Sequence, residues 1–113
     1  MDNARIKPKF EFDEQIAAGF LANKRSAGGL QDFLGIRITA VGPGTMTGEL
    51  QVRPELMTPI GNMHGGVLSA FCDHMLGCVC YPVRKKGQWG ATCEFKINLA
   101  APVTQGTVRA HAQ

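Results

Sequence analysis

Between Gly65 and Tyr81 the sequence GGVLSAFCDHMLGCVCY is apolar on nearly every side when wound as a helix, and Asp73 is its one formal charge. A helix of this kind has no face to give to solvent, so other elements must wrap it. Its flanks indicate which. Upstream, Ile36, Ile38 and, less cleanly, Ala40 alternate with Arg37, Thr39 and Val41. After the turn signal GPGT, Met46, Gly48, Leu50 and Val52 alternate again. Period-two alternation on both sides of a Pro-Gly turn predicts a β-hairpin. Downstream, Cys93, Phe95, Ile97 and Leu99 alternate with Thr92, Glu94, Lys96 and Asn98, and VRAHAQ begins a fourth strand. A curved antiparallel sheet around the long helix is the expected solution.

The N-terminal side is helical. FDEQIAAGFLANKRS places Ile16, Ala17, Phe20 and Leu21 on one stripe, with Asp13 and Glu14 at the favourable end of the dipole. Gly28 and Gly29 are expected to stop that helix. Residues 1–9 are polar and expected to be loose. The element order is therefore α-β-β-α-β-β, with residues 1–34 as an arm and helix and 35–113 as the main domain. The long helix is expected to run to about residue 81, where Pro82 helps end it.

Composition narrows the functional classes. The 113 residues suffice for one small domain, and 44% apolar residues can build a core. Oligomerisation would add burial to a domain of this size. A net charge of +3, without a long basic run, argues against nucleic acid and suits a small phosphate-bearing ligand. The four cysteines, at 72, 78, 80 and 93, have no CxxC spacing, so no metal site is expected. They are expected to be free buried thiols in a reducing cytoplasm. The N-terminus has no apolar signal-peptide core. Residues 65–83 are long enough to tempt a membrane assignment, but Asp73 near the centre would be costly in lipid.

The start of the long helix carries chemistry. Its first N–H groups lack intrahelical partners and point out of the positive end of the dipole. Gly65 and Gly66 let a ligand oxygen approach them, which is how an oxyanion hole is made. Gly65, Ser69, Asp73 and Gly77 form one small or polar stripe at i, i+4 spacing. Asp73 is eight residues past Gly65, about 12 Å along the axis. One carbonyl cannot use both groups within a single chain. Two antiparallel helices would bring one chain's carboxylate to the other's Gly65, so the stripe argues for a dimer with shared sites. His74 points about 100° away from Asp73 and reads as structural or interfacial. Cys72 has no activating partner. Arg84, Lys85 and Lys86 follow the helix and read first as a solvated turn, with phosphate contact as the alternative.

GNMHGGVLSAFCDHMLG and GQWGATCEFKINLAAPV together resemble the hotdog-fold acyl-CoA thioesterases, nearest the phenylacetate-pathway and 4-hydroxybenzoyl-CoA type. The resemblance covers residues 35–113. It implies an α+β hotdog fold, a long helix inside a curved antiparallel sheet, with the chain ending before the last strands of that sheet. It also implies a homodimer or tetramer in the cytoplasm, an acyl-CoA substrate, and no cofactor, metal or membrane. By the same resemblance the Gly65 amide polarises the thioester carbonyl, Asp73 of the partner chain acts as base or nucleophile, and His64 shapes the site. Gly66, Asn62, Thr58, Ser69 and Thr92 would surround the substrate. Thr58 stands where many relatives have Asn or Gln, and Gly77 stands where relatives can carry Ser or Thr. The other functions to weigh are a non-catalytic acyl-CoA-binding module and an enoyl-thioester hydratase or dehydratase.

Overall fold

The computed structural model describes residues 10–25 and 28–113, so the expectation for residues 1–9 lies outside the described residues. Helix α1 spans Glu14–Leu21 and α2 spans Leu30–Leu34; strand β1 spans Arg37–Gly42 and β2 spans Thr45–Gln51. Helix α3, Gly65–Cys78, and strand β3, Thr107–Ala112, complete the regular elements. Short 3-10 turns cover Pro54–Leu56 and Tyr81–Val83. The sheet is antiparallel in the order β1-β2-β3.

The hairpin follows the alternation. Gly42 pairs with Thr45 across Pro43 and Gly44, and Gly44 takes a φ of 76° that a side chain would resist. Met46, Gly48 and Leu50 point inward, as their spacing requires. The weak Ala40 position has a physical cause: the register shifts between Ile38 and Ala40, and the bulge turns Ala40 outward. Inside, Leu34, Ile38, Met46, Leu50, Leu56, Met63, Phe71, Met75 and Val79 make one core. Gly48 leaves room for α3 on the sheet: a Cβ there would come within 2.7 Å of the Met75 sulfur.

The secondary structure departs from expectation in four places. First, α1 stops at Leu21 rather than at Gly28-Gly29. Asn23 takes a φ of 48°, and its amide clasps both the N–H and the C=O of Ile38 (2.8 and 2.9 Å), which ties the helix end to β1. Second, a further short helix, LQDFL, precedes the first strand, where the expected element order has none. Gly35 ends this turn in the left-handed conformation, and the Arg53 guanidinium donates to the carbonyls of Leu34 and Phe33. Third, α3 ends at Cys78, not near 81, and the chain continues through the 3-10 turn that contains Pro82. At 14 residues α3 is about 21 Å long by its rise per residue. The stretch 65–83 passes a length-and-hydropathy test for a membrane span, but its α-helix falls short of a bilayer core, and Phe71 and Met75 are spent on the sheet.

Fourth, residues 91–103 form no strand. A strand is made by its neighbours, and among the described residues no backbone lies alongside 91–99 to pair with it. The segment is exposed apart from a half-buried Ile97, leaving Phe95 40% and Leu99 55% accessible. The three-stranded sheet accordingly covers only one side of α3, and Leu76 on another side is 44% exposed. The cysteines follow suit. All four are free, but none is buried: Cys72 and Cys78 are half-buried, while Cys80, past the helix end, and Cys93, on the unpaired segment, are exposed. The architecture is the α+β hotdog arrangement, a long central helix against an antiparallel sheet.

Candidate active site

His64 is the N-cap of α3, and its Nδ1 accepts from the Gly66 N–H at 2.9 Å. That bond fixes Nδ1 as an unprotonated acceptor and leaves Nε2 as the edge free to donate. It also removes the Gly66 amide from the set of free donors. The carbonyl of His64 accepts from Val67 and Leu68, and the Gly65 N–H has no hydrogen-bond partner among the described residues. Gly65, not Gly66, is therefore the available donor at the positive end of α3.

This amide adjoins a cavity of about 160 Å³ lined by Asn62, Gly65, Leu68, Leu99 and Val103, among others. The cavity is positioned by the chain entering α3. Met63 donates to the Val103 carbonyl and His64 to the Leu56 carbonyl, which pins the turn on both sides. Thr58 and Asn62 close the loop before it: Thr58 Oγ1 donates to Asn62 Oδ1 at 2.6 Å, and the Thr58 N–H donates to the Asn62 carbonyl. Thr58 thus orients Asn62, and Asn62 is the side chain that reaches the cavity. Ser69 Oγ donates to the Gly65 carbonyl at 2.7 Å, a back-bond along its own helix.

Asp73 lies two turns on, in a separate recess of about 130 Å³ formed with Leu30, Gln31, Leu34, Ile36 and Ala70. Its Oδ1 is buried and has no hydrogen-bond partner among the described residues. A buried carboxylate oxygen without a donor is costly to keep, at about 1–3 kcal/mol. Thr92 sits elsewhere again, in a trough of about 830 Å³ beyond the C-terminal half of α3. One protomer therefore gathers Asn62, His64 and Gly65 at the helix start and keeps Asp73 and Thr92 apart from them. One contributor escaped the sequence reading: Leu99 stands so close that a Cβ on Gly65 would come within 2.7 Å of its Cδ1. Arg84, read in the sequence as part of the basic turn after the helix, lies at the far end of α3.

The His74 ring turns along its own helix. Its Nε2 lies 3.5 Å from Cys78 Sγ, and the ring lines a recess with Phe20, Asn23, Lys24, Asp32 and Ile38. Burial pushes the Cys78 thiol up to about 11. Burial also lowers the His74 pKa below its ordinary 6.5, with the Asp73 charge opposing in part. The unfolded chain then takes a proton near pH 6.5 that the folded chain refuses. Stability contributed by neutral His74 is complete above 6.5 and is lost as pH falls through the window below it. Urea unfolding at pH 7.5 and 5.5 should show a smaller loss on acidification for His74→Gln than for the parent. An equal loss in both would assign the acid sensitivity elsewhere.

Residues 60–113, just under half of the chain, match the Thioesterase superfamily. The chain is 29% identical over 91 residues to the proofreading thioesterase EntH of Cronobacter turicensis, covering 80% of this chain and 66% of that protein. It thus spans about two thirds of that relative's length. Among solved structures it is similar to the conserved protein PA5202 of Pseudomonas aeruginosa (TM-score 0.71, 27% identity, 84% of this chain and 72% of that one). It is also similar to thioesterase HI1161 of Haemophilus influenzae (TM-score 0.70, 26% identity, 75% and 59%). The chain has the hotdog fold, and its C-terminal half is similar to the Thioesterase superfamily.

Proposed function

We propose that the protein is a thioesterase of the phenylacetate-pathway and 4-hydroxybenzoyl-CoA type, hydrolysing a small or medium acyl-CoA at a site shared by two protomers. The observation that carries this reading is the pair of unmet groups on α3. The Gly65 N–H is a donor without an acceptor, and Asp73 Oδ1 is an acceptor without a donor. They lie eight residues apart on one helix, too far to meet within one chain. A second copy related by a two-fold axis would set one chain's carboxylate opposite the other's amide.

The chemistry follows from those placements. The thioester carbonyl oxygen accepts from the Gly65 N–H, where the helix dipole favours negative charge. The partner's carboxylate takes a proton from water as the water oxygen bonds to the carbonyl carbon. The tetrahedral oxyanion gains from the amide what the planar carbonyl gains less. Collapse breaks the carbon–sulfur bond, coenzyme A leaves as thiolate, and a proton completes the thiol. Asn62, held by Thr58, borders the cavity beside this amide and is placed to hydrogen-bond the acyl portion or the water. His64 supports the site indirectly, by holding the first turn of α3 in place.

The direct test is thiol release across a panel of aryl-, short- and medium-chain acyl-CoA thioesters. Release of one thiol per acid formed is the expected result. Hydration of an enoyl-CoA without thiol release, or binding without turnover, would replace this reading.

A further inference from the structure

Strand β1 is the outer strand of the sheet, with β2 on its inner side and no strand beyond it among the described residues. Such an edge offers unpaired N–H and C=O groups to any second strand. Here those groups are already engaged. Ile38 faces Gly48 across the ladder, but its own N–H and C=O turn away from β2 to the Asn23 amide, at 2.8 and 2.9 Å. One residue of an adjacent antiparallel strand would make that same two-bond exchange. Two residues earlier, on the same outward side, the Ile36 N–H donates to the Gln31 carbonyl at 3.0 Å. The bulge between Ile38 and Ala40 then breaks the outward alternation, and only residues 40–42 remain before the turn. Arg37, Thr39 and Ala40 are exposed, so the side-chain clasp is the cover over this stretch of backbone.

The clasp suits an asparagine. Its side chain carries a donor and an acceptor on one short planar group, as a peptide unit does. Asparagine also tolerates the left-handed φ of 48° at position 23, which most side chains resist. The residue stands just past the end of α1, and Nδ2 also donates to the Leu21 carbonyl at 3.0 Å. Both Nδ2 protons and Oδ1 are thereby used. Turning the amide over would set its oxygen against two carbonyls, so the orientation is fixed.

We infer that Asn23 stands in for a neighbouring strand: it occupies the pairing positions of β1 and keeps a second copy of this chain from adding its own β1 to that edge. A second copy is the relevant partner because every molecule carries the same edge. Two such edges can pair antiparallel about a two-fold axis. The inference is independent of the thioesterase reading, since it concerns how copies of the chain are kept apart at one edge.

Asn23→Gly is the test, because glycine keeps the left-handed turn and removes only the amide. In dilute solution the Ile38 N–H of this variant should exchange with solvent about five- to tenfold faster than in the parent, the scale of one lost hydrogen bond. As concentration rises, light scattering should show association beyond the parental oligomer, and the Ile38 N–H should become protected again. Adding Ala40→Lys places a charge at an exposed position of the edge. It should return the variant to the parental oligomer without restoring that protection. In the parent, the Ile38 N–H and the Asn23 side-chain amide should both exchange slowly at every concentration. Fast exchange of either in the parent would overturn the inference, and that measurement needs no variant to fold. So would a folded Asn23→Gly that keeps the parental oligomer at every concentration. Association that leaves Ile38 unprotected, or that persists with Ala40→Lys, would place the contact elsewhere and overturn it too.

Discussion

Replacing Asp73 by alanine or by asparagine is expected to lower acyl-CoA turnover by about 10²- to 10⁴-fold, the range of general-base assistance. The asparagine variant is the more informative, because it keeps shape and removes only basicity and nucleophilicity. Stability should move the other way. Asp73 Oδ1 is buried without a donor among the described residues, so the folded state loses no hydrogen bond at that oxygen when the carboxylate goes. A buried group that costs stability has the profile of a functional residue. Both variants should therefore melt at or above the parent temperature. A destabilised Asp73→Asn would mean that the carboxylate serves the fold, and full turnover in that variant would remove it from the chemistry.

The second large effect concerns a single hydrogen atom. Gly65 occupies the first position of α3, where proline is tolerated because the missing N–H has no intrahelical acceptor. His64 has φ −61° and ψ 130°, extended values that a residue before proline readily adopts. Gly65→Pro should thus delete the donor while keeping the helix, lowering kcat by about 10²- to 10³-fold, as for other oxyanion donors. The steric control is Gly65→Ala. Its Cβ would crowd the Leu99 side chain just as the proline ring does, but the N–H remains. Leu99 is 55% exposed and free to turn aside, so the alanine variant should keep most of its turnover. Equal losses in the two variants would trace the effect to crowding rather than to the missing hydrogen.

What the sequence made legible, and what it hid, divides along physical lines. The hairpin and α3 were readable because their signals are local: alternation either side of Pro43-Gly44, and an apolar run opening at Gly65. The donor at Gly65 was readable from the rule that helix starts leave amides unmet. The distribution between Gly65 and Gly66 was not, since it depends on which way the His64 ring turns. Thr58 illustrates the same limit. Its identity set it apart from the family pattern, but its role in holding Asn62 depends on a 2.6 Å contact that spacing cannot reveal. The strand expected over 91–103 has the right alternation, yet pairing is a property of two backbones, and among the described residues none lies beside it. The helix Leu30–Leu34 was recoverable. Leu30, Phe33 and Leu34 stand at i, i+3, i+4 between Gly29 and Gly35, a helical spacing that the expected element order leaves out. The Asn23 clasp on Ile38 left no periodic trace at all.

Mixing two inactive variants addresses the shared site directly. Asp73→Asn supplies an intact Gly65 amide, and Gly65→Pro supplies an intact carboxylate. In a two-fold dimer of one of each, one of the two sites is whole, so random exchange of subunits should restore about a quarter of parental turnover. The account predicts that recovery when the two proteins are unfolded, mixed and refolded together. Heterodimers that form, as shown by mass spectrometry, yet stay as inactive as either variant alone would contradict it.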